Sequence, residues 1–231
     1  MKIVGIISSP HYEGSTALLV REALNGAKAG GAEVTEIYLP NRRLEYCKGC
    51  FTCMKLGKCP INDDFEEIKN MVYRADGIIL SSPSYGMAPN AIMKNFLDRI
   101  GMFTVYTSGL GGKYAAGIST AGAIGAKKVA RGLVGIVGNG AFQRGYVTGV
   151  LGVGVGWNEF DRKIKLKEEA YKLGGRMVSD IRSKRRYPLQ NITGRVLNAL
   201  VIRHFFIKNI NRQKPQMEAV YKNLKSRNLI K

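Results

Sequence analysis

The chain has 231 residues, 45% of them hydrophobic, and a formal net charge of +19. That length and composition fit one large domain, or a domain with an appendage, and exclude a disordered chain as the default. The charge is uneven: residues 1–160 carry 17 Lys+Arg against 12 Asp+Glu, whereas residues 161–231 carry 19 against 5. A field of one sign attracts an acidic protein, a nucleic acid or an anionic membrane surface; the alternative is a tail that only aids solubility. The run from Met1 to Ile7 is too short for a leader with a cleavage site. The longest apolar stretches, Leu133 to Phe142 and Tyr146 to Trp157, are glycine-rich and too short to cross a bilayer. A cytoplasmic location with reduced thiols is therefore expected.

In chain order, Lys2 to Ser8 is a continuous apolar run, as expected of a strand buried on both faces. Ser15-Thr16 starts a helix with Ala17, Leu18, Ala23, Leu24 and Ala27 on its apolar side, stopped by Gly30-Gly31. Glu33 to Leu39 is a second strand. After a cysteine-rich loop, Asp63-Asp64 caps a helix with Phe65, Ile68, Val72 and Ala75 at helical spacing. Gly77 to Ser81 is a third strand, and Asn90 opens a helix with Ile92, Met93, Phe96, Leu97 and Ile100 inward. Asp98-Arg99 is placed at that helix's end and read as a structural pair. Tyr114 to Ser119 is a fourth strand, followed by a helix marked by Val129, Ala130, Leu133, Val134 and Val137. Tyr146 to Gly152 is a fifth strand, and a helix over 165–184 carries Ala170, Leu173, Met177, Val178 and Ile181 on one face. Strands alternating with helices imply a three-layer α/β domain: a doubly wound, five-stranded parallel sheet over residues 1–187.

Residues 188–231 read as a basic, amphipathic helical extension. Val196, Leu197, Leu200, Val201, His204, Phe205 and Ile207 fall on one side; Pro215 interrupts; Met217, Val220, Tyr221 and Leu224 mark a final short helix. An apolar stripe of this kind is expected to be covered, across or beside a homodimer interface, with Lys and Arg outward.

Ligands in such sheets sit at the carboxyl ends of the strands, where three loops carry unusual residues. The first, Ser8 to Thr16, offers the hydroxyls of Ser9, Ser15 and Thr16 and the amides of a helix N-terminus, an arrangement suited to one phosphate; the alternative is Ser15 as an ordinary N-cap. It is neither a P-loop nor G-x-G-x-x-G, which disfavours ATP and classical dinucleotides. The second, Ser82 to Asn90, is stiffened by Pro83 and Pro89, opened by Gly86, and offers Tyr85 and Met87 to a flat ring. The third, Ser119 to Gly125, is small enough to admit a ring edge. Together they suggest a mononucleotide with a large flat head.

All four cysteines, Cys47, Cys50, Cys53 and Cys59, lie within thirteen residues in the pattern C-x2-C-x2-C-x5-C, with Pro60 following. This spacing suits a four-iron cluster, whereas zinc sites more often use two separated C-x-x-C pairs. The alternatives are four reduced thiols in a loop, or a disulfide pair.

Three segments resemble the flavodoxin-fold NADPH-dependent FMN reductases, in particular their iron–sulfur flavoprotein branch: S-S-P-x-x-x-G-S-T, C-K-G-C-F-T-C-M-K-L-G-K-C-P-I-N-D-D-F, and A-D-G-I-I-L-S-S-P-S-Y-G-M-A-P-N-A-I-M-K-N-F-L-D-R. The resemblance runs over about residues 1–180. It implies FMN with its phosphate on Ser9, His11, Ser15 and Thr16, ribityl and ring on Pro83, Ser84, Tyr85, Gly86 and Met87, and the far side of the ring on Thr120, Ala121 and Gly122. Ser8, His11 and Ser15 stand where the family usually has Gly, often Arg and often Asn. The resemblance implies an oxidoreductase whose chemistry resides on the flavin, so no protein acid or base is required. Cys47, Cys50, Cys53 and Cys59 would hold a [4Fe–4S] cluster, and ferredoxin, as an acidic carrier, or NAD(P)H would exchange electrons. It further implies a homo-oligomer, dimer or tetramer. A simple NAD(P)H:FMN or quinone reductase without a cluster is the nearer alternative. A non-catalytic module binding nucleic acid or an anionic surface is the more distant one, disfavoured because the basic residues lack interleaved aromatics.

Overall fold

A computed structural model describes residues 1–138, 140–155, 160–190, 196 and 198–230. Five parallel strands, β1 (Lys2–Ile7), β2 (Glu33–Tyr38), β3 (Gly77–Tyr85), β5 (Tyr114–Ala121) and β6 (Tyr146–Gly154), form a sheet in the order β2-β1-β3-β5-β6. A two-residue strand, β4 (Ala88–Pro89), pairs antiparallel with the end of β3. Helices α1 (Ser15–Ala29) and α6 (Phe160–Arg182) cover one face, and α3 (Phe65–Arg74), α4 (Ala91–Thr107) and α5 (Ala126–Gly138) cover the other. This is a doubly wound, flavodoxin-like α/β fold whose chain reverses direction across the sheet between β1 and β3.

The pleat of β1 explains the two cores. Ile3 and Ile7 join Val20, Leu24, Ile118 and Met177 on one side, whereas Val4 and Ile6 join Ile37, Phe65, Phe96 and Leu133 on the other. Two glycines set the crossing of α1 on α6: a Cβ on Gly174 would lie 1.8 Å from the Ala23 carbonyl oxygen, and one on Gly26 would lie 2.0 Å from that of Tyr171. Helix α4 starts where the side chain of Asn90 accepts a hydrogen bond from Met93 N at 3.1 Å, a standard N-cap. On the far edge of the sheet, the side-chain amide of Gln190 bonds both backbone groups of Val147, at 3.0 and 2.6 Å, and so closes part of an otherwise open strand edge.

Several details depart from the expectation. The segment read as a loop at 82–90 is a β-hairpin, because β3 runs on to Tyr85 and returns through Ala88–Pro89. Its two-residue turn, Gly86 and Met87, has φ of 56° and 62°, the type I′ geometry that matches strand twist. Asp98 and Arg99 lie in the middle of α4 rather than at its end and do not pair with each other: Asp98 bonds Lys94, and Arg99 bonds Asp63. A short helix, α2 (Thr52–Leu56), interrupts the cysteine segment.

Beyond α6, a π-helical turn at Asn198–Ile202 leads into α7 (Arg203–Arg212) and α8 (Glu218–Ser226). Of the expected apolar stripe, Leu197 lies outside the described residues, and Val196, Leu200, Val201 and Phe205 are all more than half exposed. Phe206 and Ile210, outside that stripe, face the body of the protein, with the Phe206 ring 4.8 Å from that of Tyr106 and tilted by 39°, and Ile210 fully buried. The π turn accounts for the change, since each such turn adds residues relative to α-helical winding and rotates the following face. Helix α8 packs on the chain's own cysteine segment. Val220 and Leu224 are fully buried in one cluster with Met54 of α2 and Phe103 of α4. Arg227 fixes the end of the tail by donating to the carbonyls of Thr107 and Ser108 at the C-terminus of α4, at 2.7 and 3.2 Å.

Candidate functional site

The carboxyl ends of β1, β3 and β5 bring the three loops together. Asn90 ties the first to the second: its side-chain amide donates to the carbonyl of Ser8 at 2.6 Å, and its backbone N–H donates to Ser82 Oγ at 2.9 Å. The first and third loops are joined by a hydrogen bond of 2.6 Å between the buried hydroxyls of Thr16 and Thr120. Thr16 is thus engaged within the protein, and Thr120 and Ala121 belong to β5 rather than to the loop after it.

In the first loop, Ser9 is buried and its hydroxyl folds back on His11, accepting from the backbone N–H at 3.3 Å and facing the carbonyl at 3.2 Å. Gly14 N donates to the same carbonyl at 3.0 Å, so the turn is closed ahead of α1. The N-cap of α1 is Gly14, with no side-chain cap, which removes the reading of Ser15 as an ordinary N-cap. A Cβ on Gly14 would come within 2.9 Å of the His11 side chain. Ser15 is half-buried, and the first-turn amides of α1 lack intrahelical acceptors. His11 lies exposed on the rim.

Across the opening, Tyr85 and Met87 at the hairpin tip and Ile124 in the third loop are exposed apolar side chains, the last at 74%. Gly125 has φ of +93°, and a Cβ there would meet Met87 and Ser84 Oγ at 3.2 Å. Gly86 and Gly122 face open space. Pro83 pairs with Thr120 in the β3–β5 ladder. Ser84 Oγ is buried with no hydrogen-bond partner among the described residues. Met87 sustains a left-handed backbone, a conformation costing on the order of 1–3 kcal/mol for a residue with a side chain.

The cysteine segment is held against α4, the helix that Asn90 begins. Cys47 and Cys50 are exposed, Cys53 and Cys59 are half-buried, and all four line one pocket of about 320 Å³ with Arg99 and Met102. Among the described residues, no group of His, Cys, Asp and Glu is arranged to hold a single metal ion. The peptide between the thiols is bent by three left-handed residues, Gly49 at φ 62° and, bracketing α2, Phe51 at φ 56° and Gly57 at φ 74°. Burial pushes the Cys53 thiol up, and the neighbouring cysteines add to this. The Cys50 thiol is lowered by hydrogen bonds from Thr52.

The segment is anchored from α4, an arrangement the spacing of the cysteines does not reveal. Asn95 accepts from Cys47 N at 3.3 Å and donates to the carbonyls of Leu44 and Glu45. One turn later, Arg99 donates to Glu45 O at 3.0 Å, to both oxygens of Asp63 and to Cys59 Sγ at 3.3 Å. Glu66 accepts from Cys59 N at 2.7 Å and pairs with Lys69. The i, i+4 spacing of Asn95 and Arg99 puts both on one face of α4, which is the sequence signal for this role.

A three-layer fold with a loop cradle at the β1/β3 switch point defines the class of flavodoxin-like proteins. Residues 1–154 match the model of the NADPH-dependent FMN reductase family, and the chain belongs to that family. Curated relatives include an iron–sulfur flavoprotein of Methanocaldococcus jannaschii, 48% identical over 99 residues (43% of this chain, 51% of that protein). An iron–sulfur flavoprotein of Clostridioides difficile is 29% identical over 184 residues, 73% of this chain and 74% of that protein. The matched segment spans about half the length of the first of these relatives. Among solved structures, a flavone reductase aligns with a TM-score of 0.58 at 21% identity (79% of this chain, 63% of that one), and an archaeal flavodoxin with 0.51 at 16% (79% and 99%). At these identities the structures support the fold. Among the described residues no helix is long and apolar enough to cross a membrane.

The residues present fit a flavin mononucleotide. The cradle has free first-turn amides, an unpartnered buried hydroxyl at Ser84, two glycines facing open space and an apolar rim. The donor set also has the chemistry of an iron–sulfur site, since all four cysteines line one pocket.

Proposed function

We propose that the chain is an FMN-dependent oxidoreductase whose four cysteines hold a [4Fe–4S] cluster beside the flavin. In this reading Ser9, His11, Ser15 and Thr16 form the phosphate end, with Ser15 and the first-turn amides of α1 as direct donors and Thr16 holding the cradle to β5 through Thr120. Pro83, Ser84, Tyr85, Gly86 and Met87 hold ribityl and ring, with Ser84 Oγ the unpaired donor awaiting an acceptor. Thr120, Ala121 and Gly122 bound the far side. When bound, FMN accepts hydride and releases electrons singly or in pairs, and a cluster stores them singly. The observation that carries the reading is that one helix serves both sites. Asn90 at the start of α4 ties the loops of the cradle, whereas Asn95 and Arg99 hold the cysteine segment. These residues lie roughly 7.5 and 13.5 Å further along the helix axis, at about 1.5 Å per residue. That proximity suits transfer between a two-electron donor such as NAD(P)H and a one-electron partner such as a ferredoxin. The strongly basic chain favours an acidic carrier, with a rate that falls as salt rises.

The phosphate assignment is tested by titrating flavin-free protein with FMN and with riboflavin, which lacks the phosphate. Wild type is expected to prefer FMN. Ser15→Asp, which places a negative charge at the cradle, is expected to lower FMN affinity at least tenfold while leaving riboflavin affinity near its original value. Equal FMN binding by the two proteins would remove the phosphate from this loop. Without iron, the same fold is a simple NAD(P)H:FMN or quinone reductase, and an iron count on anaerobically prepared protein separates the two.

A further inference from the structure

Arg99 lies on α4 yet reaches the last of the four cysteines. Its side chain is 1% exposed, and that of its partner Asp63 is 0% exposed. The guanidinium lies over the ring of Phe65, 4.2 Å from the ring centre. One terminal nitrogen serves Glu45 O and Asp63, and the other is divided between Asp63 Oδ1 at 2.9 Å and Cys59 Sγ at 3.3 Å. Among the described residues no other charged side chain donates a hydrogen bond to a cysteine sulfur.

A buried ion pair is a poor source of stability, because removing both charges from water offsets most of their attraction; apolar replacements are often as stable or more so. Its presence here calls for another role, and its position supplies one. We propose that Arg99 is a positioning residue of the four-cysteine site that also sets its reduction potential, by holding a fixed positive charge against the Cys59 sulfur, with Asp63 attenuating that charge. The inference rests on the reading that these cysteines hold an iron–sulfur cluster. Each one-electron reduction adds one negative charge to the site and takes up no proton, so a nearby cation favours the reduced form. Hydrogen bonds to cluster sulfurs and the local net charge are recognised determinants of such potentials. The other charged side chains here are Lys48 and Asp98 in the pocket lining, Lys58 beside Cys59, and the Glu66–Lys69 pair, whose carboxylate accepts from Cys59 N. Lys48, Lys58 and Asp98 are exposed, where water and salt screen them, and the Glu66–Lys69 pair is neutral overall, which leaves the buried Arg99–Asp63 balance as the least screened charge at the sulfur. Cys47 and Cys50 are exposed, and Cys50 takes its hydrogen bonds from Thr52 rather than from a charged group.

The geometry makes two substitutions act in opposite directions. Arg99→Gln removes the cation, while Asp63→Asn removes the counter-charge and leaves Arg99 on the sulfur. Arg99→Lys keeps the charge but not the fork that reaches both partners. Full-length protein and each variant would be purified anaerobically, analysed for iron and FMN, and titrated with dithionite as electron donor in the presence of redox mediators. Arg99→Gln is expected to lower the cluster potential by roughly 60 mV, a tenfold shift in a one-electron equilibrium. Asp63→Asn is expected to raise it, and Arg99→Lys to fall between Arg99→Gln and wild type. Potentials equal to wild type in the iron-containing variants would overturn the proposal and leave Arg99 a purely structural residue. Loss of iron from all three variants, with FMN content and far-UV circular dichroism intact, would make the Arg99–Asp63 pair a positioning device alone and overturn its graded control of the potential. A wild-type protein without iron would instead overturn the underlying cluster reading, a result distinguishable from either.

Discussion

Leu224 offers a direct measure of how far the C-terminal extension is built into the cysteine site. Its side chain is fully buried, as is that of Val220, in a cluster with Met54 at 3% exposure and Phe103 at 7%. Met54 lies between Cys53 and Lys55 in α2, so the same contacts that bury Leu224 hold the helix carrying Cys53. Leu224→Ala deletes about three carbon groups, worth roughly 2.4 kcal/mol at about 0.8 kcal/mol each. The cavity left behind brings the expected loss to about 3–4 kcal/mol, within the range for buried leucines. That is a large fraction of the ~5–15 kcal/mol by which a domain is usually stable. Urea unfolding of the full chain would show it as a lower midpoint with unchanged slope. Because α8 covers α2, native-state alkylation of the iron-free protein should accelerate more at Cys53 than global destabilisation explains, as expected of local opening. A change below about 0.5 kcal/mol, with unaltered alkylation, is the behaviour of an exposed position. It would show that α8 does not pack on the cysteine segment.

Three further outcomes follow from particular contacts. Gly174→Ala drives a methyl group into the Ala23 carbonyl at the α1–α6 crossing and should prevent cooperative folding, whereas Gly175→Ala, whose nearest neighbour lies at 3.8 Å, should be tolerated; comparable thermal melts would contradict the crossing. Burial pushes the Asp63 carboxyl up, but its hydrogen bonds from Arg99 and from the amides of Glu45 and Phe65 outweigh this and hold it below the usual carboxylate range. A depressed folded value means stability that is present above the unfolded carboxylate value and lost as pH falls through the folded one. Asp63→Asn should therefore flatten the acid limb of a stability–pH curve, and an unchanged limb would refute the pairing. Burial raises the Tyr73 phenol to about 12, so its contribution is full below the unfolded value near 10 and is lost as pH rises through about 12; Tyr73→Phe should remove that alkaline loss.

Much of the fold is legible in the sequence because it rests on short-range pattern. The short, unbroken apolar run of β1 has the length and composition of a strand covered on both faces, and Asn90 announces α4 by its capping chemistry. The hairpin at β3–β4 is not legible, because Ser82-Pro83-Ser84 is polar and proline-bearing and its turn places Met87, rather than glycine or asparagine, at positive φ. The cysteine pattern marks the thiols but not what holds them. Arg99 and Asp63 are 36 positions apart, and Asn95 and Cys47 are 48 apart. Such pairs depend on how α4 lies against the segment, which no local periodicity encodes. The stripe from Val196 to Ile207 is legible in the sequence, but not that Phe206 and Ile210 form the face covered within the chain, because a π turn at Asn198–Ile202 changes the winding there.

The central claim is that one chain carries both a flavin and a cluster on a shared helix. Its most direct test is the flavin and iron content of protein purified under strict anaerobiosis, read together with the visible spectrum. The account predicts about one FMN and about four iron atoms per chain, with a broad absorption beneath the flavin bands that bleaches on reduction. Flavin without iron, even after anaerobic reconstitution with iron and sulfide, would contradict the cluster. Protein with neither, and with no affinity for added FMN, would contradict the account as a whole.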